Sequence, residues 1–191
     1  MIVKPQADDL AAAVTRAAGK GPPPVHLWNP PFCGDIDIRI ARDGLWYYLG
    51  TPIGRQPLVD LFASILKVED GQYFLVTPAE KVRIRVEDAP LFVVDAEARG
   101  QGKDQQISFH TRTGDVVVAG PDHRIRVERD PEDGEPSPYI HIRRGLEARI
   151  DRKTFYRLVD LCTHEPLDGT SWFGLWSGGC FFPLIPSSEL S

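Results

Sequence analysis

The chain has 191 residues, is 42% hydrophobic and carries a formal charge of -5. That supports one ordinary domain or two small lobes around a real core, and excludes wholesale disorder. The acidic balance argues against broad charge-driven binding to nucleic acid or an anionic membrane.

No apolar run approaches the roughly 18 residues of a membrane helix. The opening "MIVKPQADDLAAAV" has acids where a secretory signal carries its apolar stretch. A cytoplasmic protein with no nucleic-acid or membrane partner is expected. A first helix is predicted from Asp8 and Asp9, with Leu10, Ala13, Val14 and Ala17 at helical spacing and Gly19 at its end. "GKGPPPVHLWNPPF" excludes regular helix and reads as an extended connector, pinned by Val25, Leu27 and Trp28.

"DIDIRIARDG" follows. Ile36, Ile38 and Ile40 alternate with Asp37, Arg39 and Ala41, the period of a half-buried strand. Arg42-Asp43-Gly44 reads as a hairpin turn leading back through "LWYYLGTPI", where alternation puts Trp46 and Tyr48 on one side and Tyr47 on the other. Leu58, Leu61, Phe62 and Ile65 then mark the apolar face of a helix, with Pro57 in its first turn. "EDGQ" turns the chain into the strand "YFLVTP". Seven further strands are predicted from Lys81: "KVRIRVED", "LFVVDAE", "QQISFHTR", "DVVVAG", "HRIRVERD", "PYIHIRR" and "LEARI". Asp151 caps a helix with Phe155, Leu158, Val159 and Cys162 on one face. The tail "DGTSWFGLWSGGCFFPLIP" is too aromatic to hang free and is expected to pack back as one or two strands.

"IRIARD" (38–43) returns as "IRVERD" (125–130), and more loosely as "IRVED" (84–88). The helices also match: Ile53, Arg55, Gln56, Leu58, Leu61, Phe62 and Ile65 align with Ile150, Arg152, Lys153, Phe155, Leu158, Val159 and Cys162. The loop "DPEDGEPSP" absorbs the extra length of the second copy. The ordered match favours a duplicated unit. "IRVED", with no helix behind it, reads as ordinary strand.

The expected fold is α+β. Two related lobes of mostly antiparallel sheet carry one helix each, the second a pleckstrin-homology-like barrel of seven strands capped by its helix. The expected divisions are residues 1–28 (helix and connector), 29–79 (first lobe), 80–165 (second lobe) and 166–191 (tail).

Three stretches, "CGDIDIRIARDGLWYYLGTPIGRQPLVDLF", "YFLVTPAEKVRIRVEDAPLFV" and "GLEARIDRKTFYRLV", resemble the bacterial family called domain of unknown function 1285. The likeness runs from about Pro24 to the tail. It implies a duplicated domain with a pleckstrin-like second lobe, no assigned activity, and a nucleotide-like ligand between the lobes in a signalling role.

The residues themselves carry little chemistry. No nucleophile elbow, zinc helix motif, dinucleotide fingerprint or phosphate loop occurs, and the five histidines lack ligand spacing. Cys33, Cys162 and Cys180 form no CxxC and read as reduced thiols, with Cys180 in "SGGCFF" the one candidate for redox chemistry. Asp35 and Asp37 share a strand face and can reach one metal or ligand, or simply start a strand. Arg55 and Arg152 fall where each helix begins, beside free N–H groups that favour anions. Arg39 and Arg126 fit solvated or paired side chains better. Thr77, Glu80 and Lys81 are placed at the junction between the lobes, as a ligand cleft or a hydrogen-bonded corner. The leading expectation is a non-catalytic, cofactor-free module for ligand binding or signalling, taking a nucleotide-like or anionic small molecule near Arg55, Thr77, Glu80, Lys81 and Arg152. Arg39 and Asp37 are secondary candidates. The alternatives are a protein-interaction module using a sheet edge or the tail, and a metal-dependent enzyme using Asp35 and Asp37.

Overall fold

A computed structural model describes residues 6–17 and 21–190 and divides into two units, one ending at Pro90 and one beginning at Leu91. The expected helix end at Gly19 lies outside the described residues. Among these residues no helix is long and apolar enough to cross a membrane.

The first unit opens with helix α1 (Ala7–Ala17), which buries Ala7, Leu10 and Val14. In the proline-rich connector only Val25 of the three expected pins is buried; Leu27 is 72% exposed. Six strands follow: β1 (Phe32–Ile40), β2 (Trp46–Tyr48), β3 (Thr51–Pro52), β4 (Leu66–Glu69), β5 (Gln72–Val76) and β6 (Lys81–Val86). Helix α2 (Gln56–Ser64) lies between β3 and β4. The strands form one sheet in the order β3-β2-β1-β6-β5-β4, antiparallel throughout except at the central β1–β6 seam. Ile38 and Ile40 from β1, Val82 and Ile84 from β6 and Trp46 from β2 are buried, as period-two alternation requires. Trp46 stacks on Phe62 of α2, with ring centroids 6.4 Å apart. The helix is turned slightly from the expected face: Val59, Phe62 and Ala63 are buried, while Leu58 and Leu61 are only half-buried.

The strand at Lys81, expected to open the second lobe, pairs on both sides with first-lobe strands. The second lobe therefore has six strands, not seven: β7 (Leu91–Arg99), β8 (Gln106–Thr111), β9 (Val116–Val118), β10 (Ile125–Arg129), β11 (Pro136–Arg143) and β12 (Leu146–Ile150). They form a curled sheet in the order β10-β11-β12-β7-β8-β9, again with one parallel seam, β12–β7. Helix α3 (Arg152–Val159) follows and buries Thr154, Phe155 and Leu158. The aromatic tail makes two strands, β14 (Thr170–Ser177) and β15 (Cys180–Pro186), which join β13 (Thr163–Leu167) just before it in a small sheet. Ser177, wholly buried, fixes this small sheet to the second lobe. Its Oγ donates to the Ala119 carbonyl at 2.8 Å and accepts from the Ile107 amide at 2.9 Å.

Numbered within each lobe, both sheets run 3-2-1-6-5-4 with strands 1 and 6 parallel. The fold is α+β and duplicated, yet the correspondence differs from the phrase match. β1 is the counterpart of β7, and β10 is the counterpart of β4. The true partner of "IRVERD" is thus "LKVED" at 66–70. In both, the cation pairs with the glutamate two residues on, Lys67 with Glu69 and Arg126 with Glu128. In both it also stands opposite an aromatic residue, Phe74 or Tyr139. The helices are not equivalent either, since α2 follows strand 3 and α3 follows strand 6.

Candidate functional site

Sequence alternation sends Asp35, Asp37 and Arg39 to the solvent face of β1 while Ile36, Ile38 and Ile40 go to the core. On β6, Arg83 and Arg85 do the same, followed by Glu87. Because β1 and β6 run parallel, these residues meet in order. Arg83 makes a two-pronged contact with Asp35 at 2.8 and 3.0 Å, Arg85 stands 3.7 Å from Asp37, and Arg39 bonds Glu87 at 2.6 Å. The "IRVED" phrase is therefore the parallel neighbour of "IRIARD", and the two interlock as a ladder of opposite charges.

The rungs differ. The Arg83 guanidinium holds the Asp35 carboxyl below the usual carboxylate range. It also lies 5.7 Å from the centre of the Phe32 ring, so its face and its edge are both engaged. Arg39 stacks at 4.3 Å over Tyr47. Its hydrogen bond, with the Arg42 amide, lowers the pKa of Glu87. The Asp37–Arg85 rung lies beyond hydrogen-bond range, and its side chains are 54% and 74% exposed. Asp37 sits where the β1–β6 register shifts, between Asp35 and Arg39.

A cleft of about 610 Å³ opens over this rung. Asp35, Asp37, Arg83 and Arg85 line it, with Gln6 from the start of α1 and Tyr48 and Leu49 from the β2–β3 turn. Leu49 and Gly50 are the two central residues of that hairpin, and both have positive φ, 49° and 76°. Such a turn favours Asn, Asp or Gly at its first central position. Leucine there costs roughly 1–2 kcal/mol in backbone strain, and its side chain stays 65% exposed. The fold gains nothing visible from it.

Most of the other nominated residues have structural partners. Thr77, Glu80 and Lys81 belong to the β5–β6 turn inside the first lobe, which corrects their placement at a junction between lobes. Thr77 is wholly buried. Its Oγ1 accepts from the amides of Ala79 and Glu80, and its own amide donates to the Glu80 carbonyl. That is the hydrogen-bonded corner. Lys81 pairs with Glu69 at 2.8 Å and lies 5.0 Å over Phe74. Arg55 is exposed at the N-cap of α2 and makes no capping hydrogen bond. Arg152 opens α3 and pairs with Glu135. The α3 terminus already holds a carboxylate, because Asp151 Oδ1 accepts from the Thr154 amide at 2.8 Å. A second anion there meets that charge, so the structural reason for Arg152 is its ion pair. Of the residues singled out from sequence, Asp35 and Asp37 line the cleft. Arg83, Arg85 and Leu49 were missed. Their signal was present in "IRVED" beside "DIDIR", and in a leucine before glycine at a hairpin tip.

Asp35 and Asp37 each face an arginine. Among the described residues no group of three or more His, Cys, Asp or Glu side chains is placed to hold a metal. The cysteines are unbridged and half-buried. Burial, with Asp160 nearby, pushes the Cys162 thiol up to about 12, which makes it unreactive near neutrality.

Residues 23–89 match the model of a domain of unknown function (DUF1285), N-terminal domain, and residues 90–184 match the corresponding C-terminal domain. A comparison with curated proteins gave no match. A crystal structure of a DUF1285 family protein from Silicibacter pomeroyi DSS-3 is similar at 59% identity and a TM-score of 0.86, over 95% of this chain and 97% of that one. A second, from Shewanella baltica OS155, is 36% identical with a TM-score of 0.51, over 64% of this chain and 90% of that one. Two family models that meet where the two lobes divide, and a neighbour matched over nearly its whole length, establish that the chain belongs to the DUF1285 family.

Proposed function

We propose that the protein is a non-catalytic cytoplasmic binding module of a signalling kind, which takes a small anionic molecule into the first-lobe cleft. The observation that carries this reading is the open rung. Arg85 lines a cleft of about 610 Å³, and the Asp37 carboxylate stands 3.7 Å from its guanidinium rather than in hydrogen-bond contact. Pockets of several hundred Å³ that combine apolar wall with a few convergent polar groups are the usual form of a small-molecule site. An arginine fork recognises carboxylate or phosphate in two-pronged fashion. The unbridged cysteines and the acidic charge balance suit a cytoplasmic setting.

The test is a thermal-shift screen of the full chain against small carboxylates and phosphates, nucleotides included, repeated on Arg85→Ala. Hits are expected to raise the melting temperature of the wild type and to lose at least tenfold in affinity in the variant. Hits that bind Arg85→Ala unchanged place the site elsewhere and sink the reading.

A further inference from the structure

We infer that the ligand of this cleft is a zwitterion of the α-amino-acid type with an apolar side chain, held by Asp37 at its ammonium and by Arg85 at its carboxylate. This rests on the reading of the first-lobe cleft as the binding site, and it replaces the simple anion with a molecule that carries an anionic and a cationic group together.

The argument starts from charge. Two aspartates and two arginines line the cleft, so its wall has no net charge. Asp35 and Arg83 hold one another through two hydrogen bonds, and Arg83 also reaches Gln72. Asp37 and Arg85 remain, of opposite sign and 3.7 Å apart. At that separation each keeps its full hydrogen-bonding capacity, carboxylate lone pairs on one and guanidinium N–H groups on the other. A simple anion that engages Arg85 also meets the Asp37 carboxylate and is repelled by it. A simple cation meets the reverse. A molecule with ammonium and carboxylate on one carbon satisfies both at once and turns a loose ion pair into two charge-assisted contacts. Selection against either half-ligand is then built into the site, because each leaves one charge facing its like.

The side-chain class follows from the turn above. Leu49 lines the cleft, is 65% exposed, and holds a left-handed backbone that leucine disfavours. A local rule broken without gain to the fold is the kind of departure expected at a functional position. Tyr48 beside it, which stands opposite Ile38 on the core face of the sheet, lines the same cleft with Ile36 and Ile84. Together these residues give the cleft an apolar wall.

The experiment is calorimetric titration of the full chain with L-leucine and L-phenylalanine, and with two analogues of the latter. Phenethylamine lacks the carboxylate, and 3-phenylpropionate lacks the ammonium group. The amino acids are expected to bind, and each analogue to bind at least tenfold more weakly. Asp37→Asn and Arg85→Gln, both on the exposed face, are each expected to cost the amino acids tenfold or more while the circular dichroism spectrum stays unchanged. Leu49→Asn, the residue type the turn prefers, is expected to raise the melting temperature and weaken L-leucine. If 3-phenylpropionate binds as well as L-phenylalanine, and Asp37→Asn tightens it, the zwitterion is wrong and the anion cleft survives. If no amino acid binds but another anion does so through Arg85, the zwitterion is again wrong and the anion cleft again survives. If none of these probes binds and no anion does, both readings fall together.

Discussion

The two parallel seams are the same piece of topology put to different uses. In the first lobe the solvent face of β1–β6 carries Asp35 opposite Arg83, with Asp37, Arg39, Arg85 and Glu87 continuing the ladder. In the second lobe the register of β12–β7 sets Arg149 opposite Phe92, flanked by Ala148 with Leu91 and Ile150 with Val93. The core faces are alike: Ile38, Ile40, Val82 and Ile84 on one seam, Leu91, Val93, Ala148 and Ile150 on the other, all buried. What the duplication preserved is the buried side, which packing dictates. What diverged is the outer side, where the first lobe carries the charge ladder. A cavity of the second lobe, lined by Arg149 and Arg152, is about 50 Å³.

If the buried sides are equivalent, truncating them should cost the same in both lobes. Ile38 and Ile150 are 0% and 1% exposed, one on each seam. Ile38→Ala and Ile150→Ala are each expected to destabilise by about 2–5 kcal/mol, from lost transfer energy plus the cavity left behind. Urea denaturation followed by native-state hydrogen exchange checks both the size and the lobe affected. A large loss for one and little for the other breaks the equivalence.

The helices sharpen the contrast. Asp151 caps α3 through its side chain, whereas Arg55 at the start of α2 makes no such bond. Asp151→Ala is expected to cost about 1 kcal/mol. Arg55→Ala is expected to leave stability unchanged within the usual range of surface substitutions. Chemical denaturation of the two variants measures the difference directly. An equal loss would break the contrast between the two helix starts.

That mistaken match shows what the chain made legible and what it hid. Strand alternation and helix faces are local, so β1, β2, β5–β12 and both main helices could be read from period and turn residues. β4 was missed because "LKVE" follows α2 without a break, and its alternation is only four residues long. Strand order is not local. "IRIARD" and "IRVERD" look alike because both place an arginine between core-facing isoleucine or valine, opposite a tyrosine on the next strand. Arg39 lies over Tyr47 and Arg126 over Tyr139, each at 4.3 Å. One is a central strand and the other an edge. For the same reason the site escaped notice: its acids and bases lie 48 positions apart in the chain and meet only through parallel pairing. Residues singled out one by one, Thr77 and Lys81 among them, proved to be holding turns and pairs.

The ladder also predicts a difference in acid sensitivity between the seams, small because its members are exposed. Hydrogen bonds from Arg83 lower the pKa of Asp35, and those from Arg39 and the Arg42 amide lower that of Glu87. A carboxylate whose pKa is depressed by folding contributes stability that is fully present above its unfolded pKa. That contribution is lost as pH falls through the folded value. With unfolded values of about 3.9 for Asp and 4.3 for Glu, the first-lobe seam should hold its protection at pH 6 and lose part of it below about pH 4. The second-lobe seam has Phe92 and Arg149 in the corresponding place and no carboxylate there to neutralise. Its nearest depressed group, Asp95, lies off the seam and pairs with Arg157 of α3. Amide-exchange protection factors for β1 and β6 should therefore drop between pH 6 and pH 3 more than those for β7 and β12. Glu87→Gln should remove part of that excess without changing the second lobe, and high salt should blunt it in the wild type, since screening acts most on exposed pairs. Equal acid loss at both seams would mean that the ladder is decoration on the sheet, and that its open rung owes its geometry to nothing more than a shift in register.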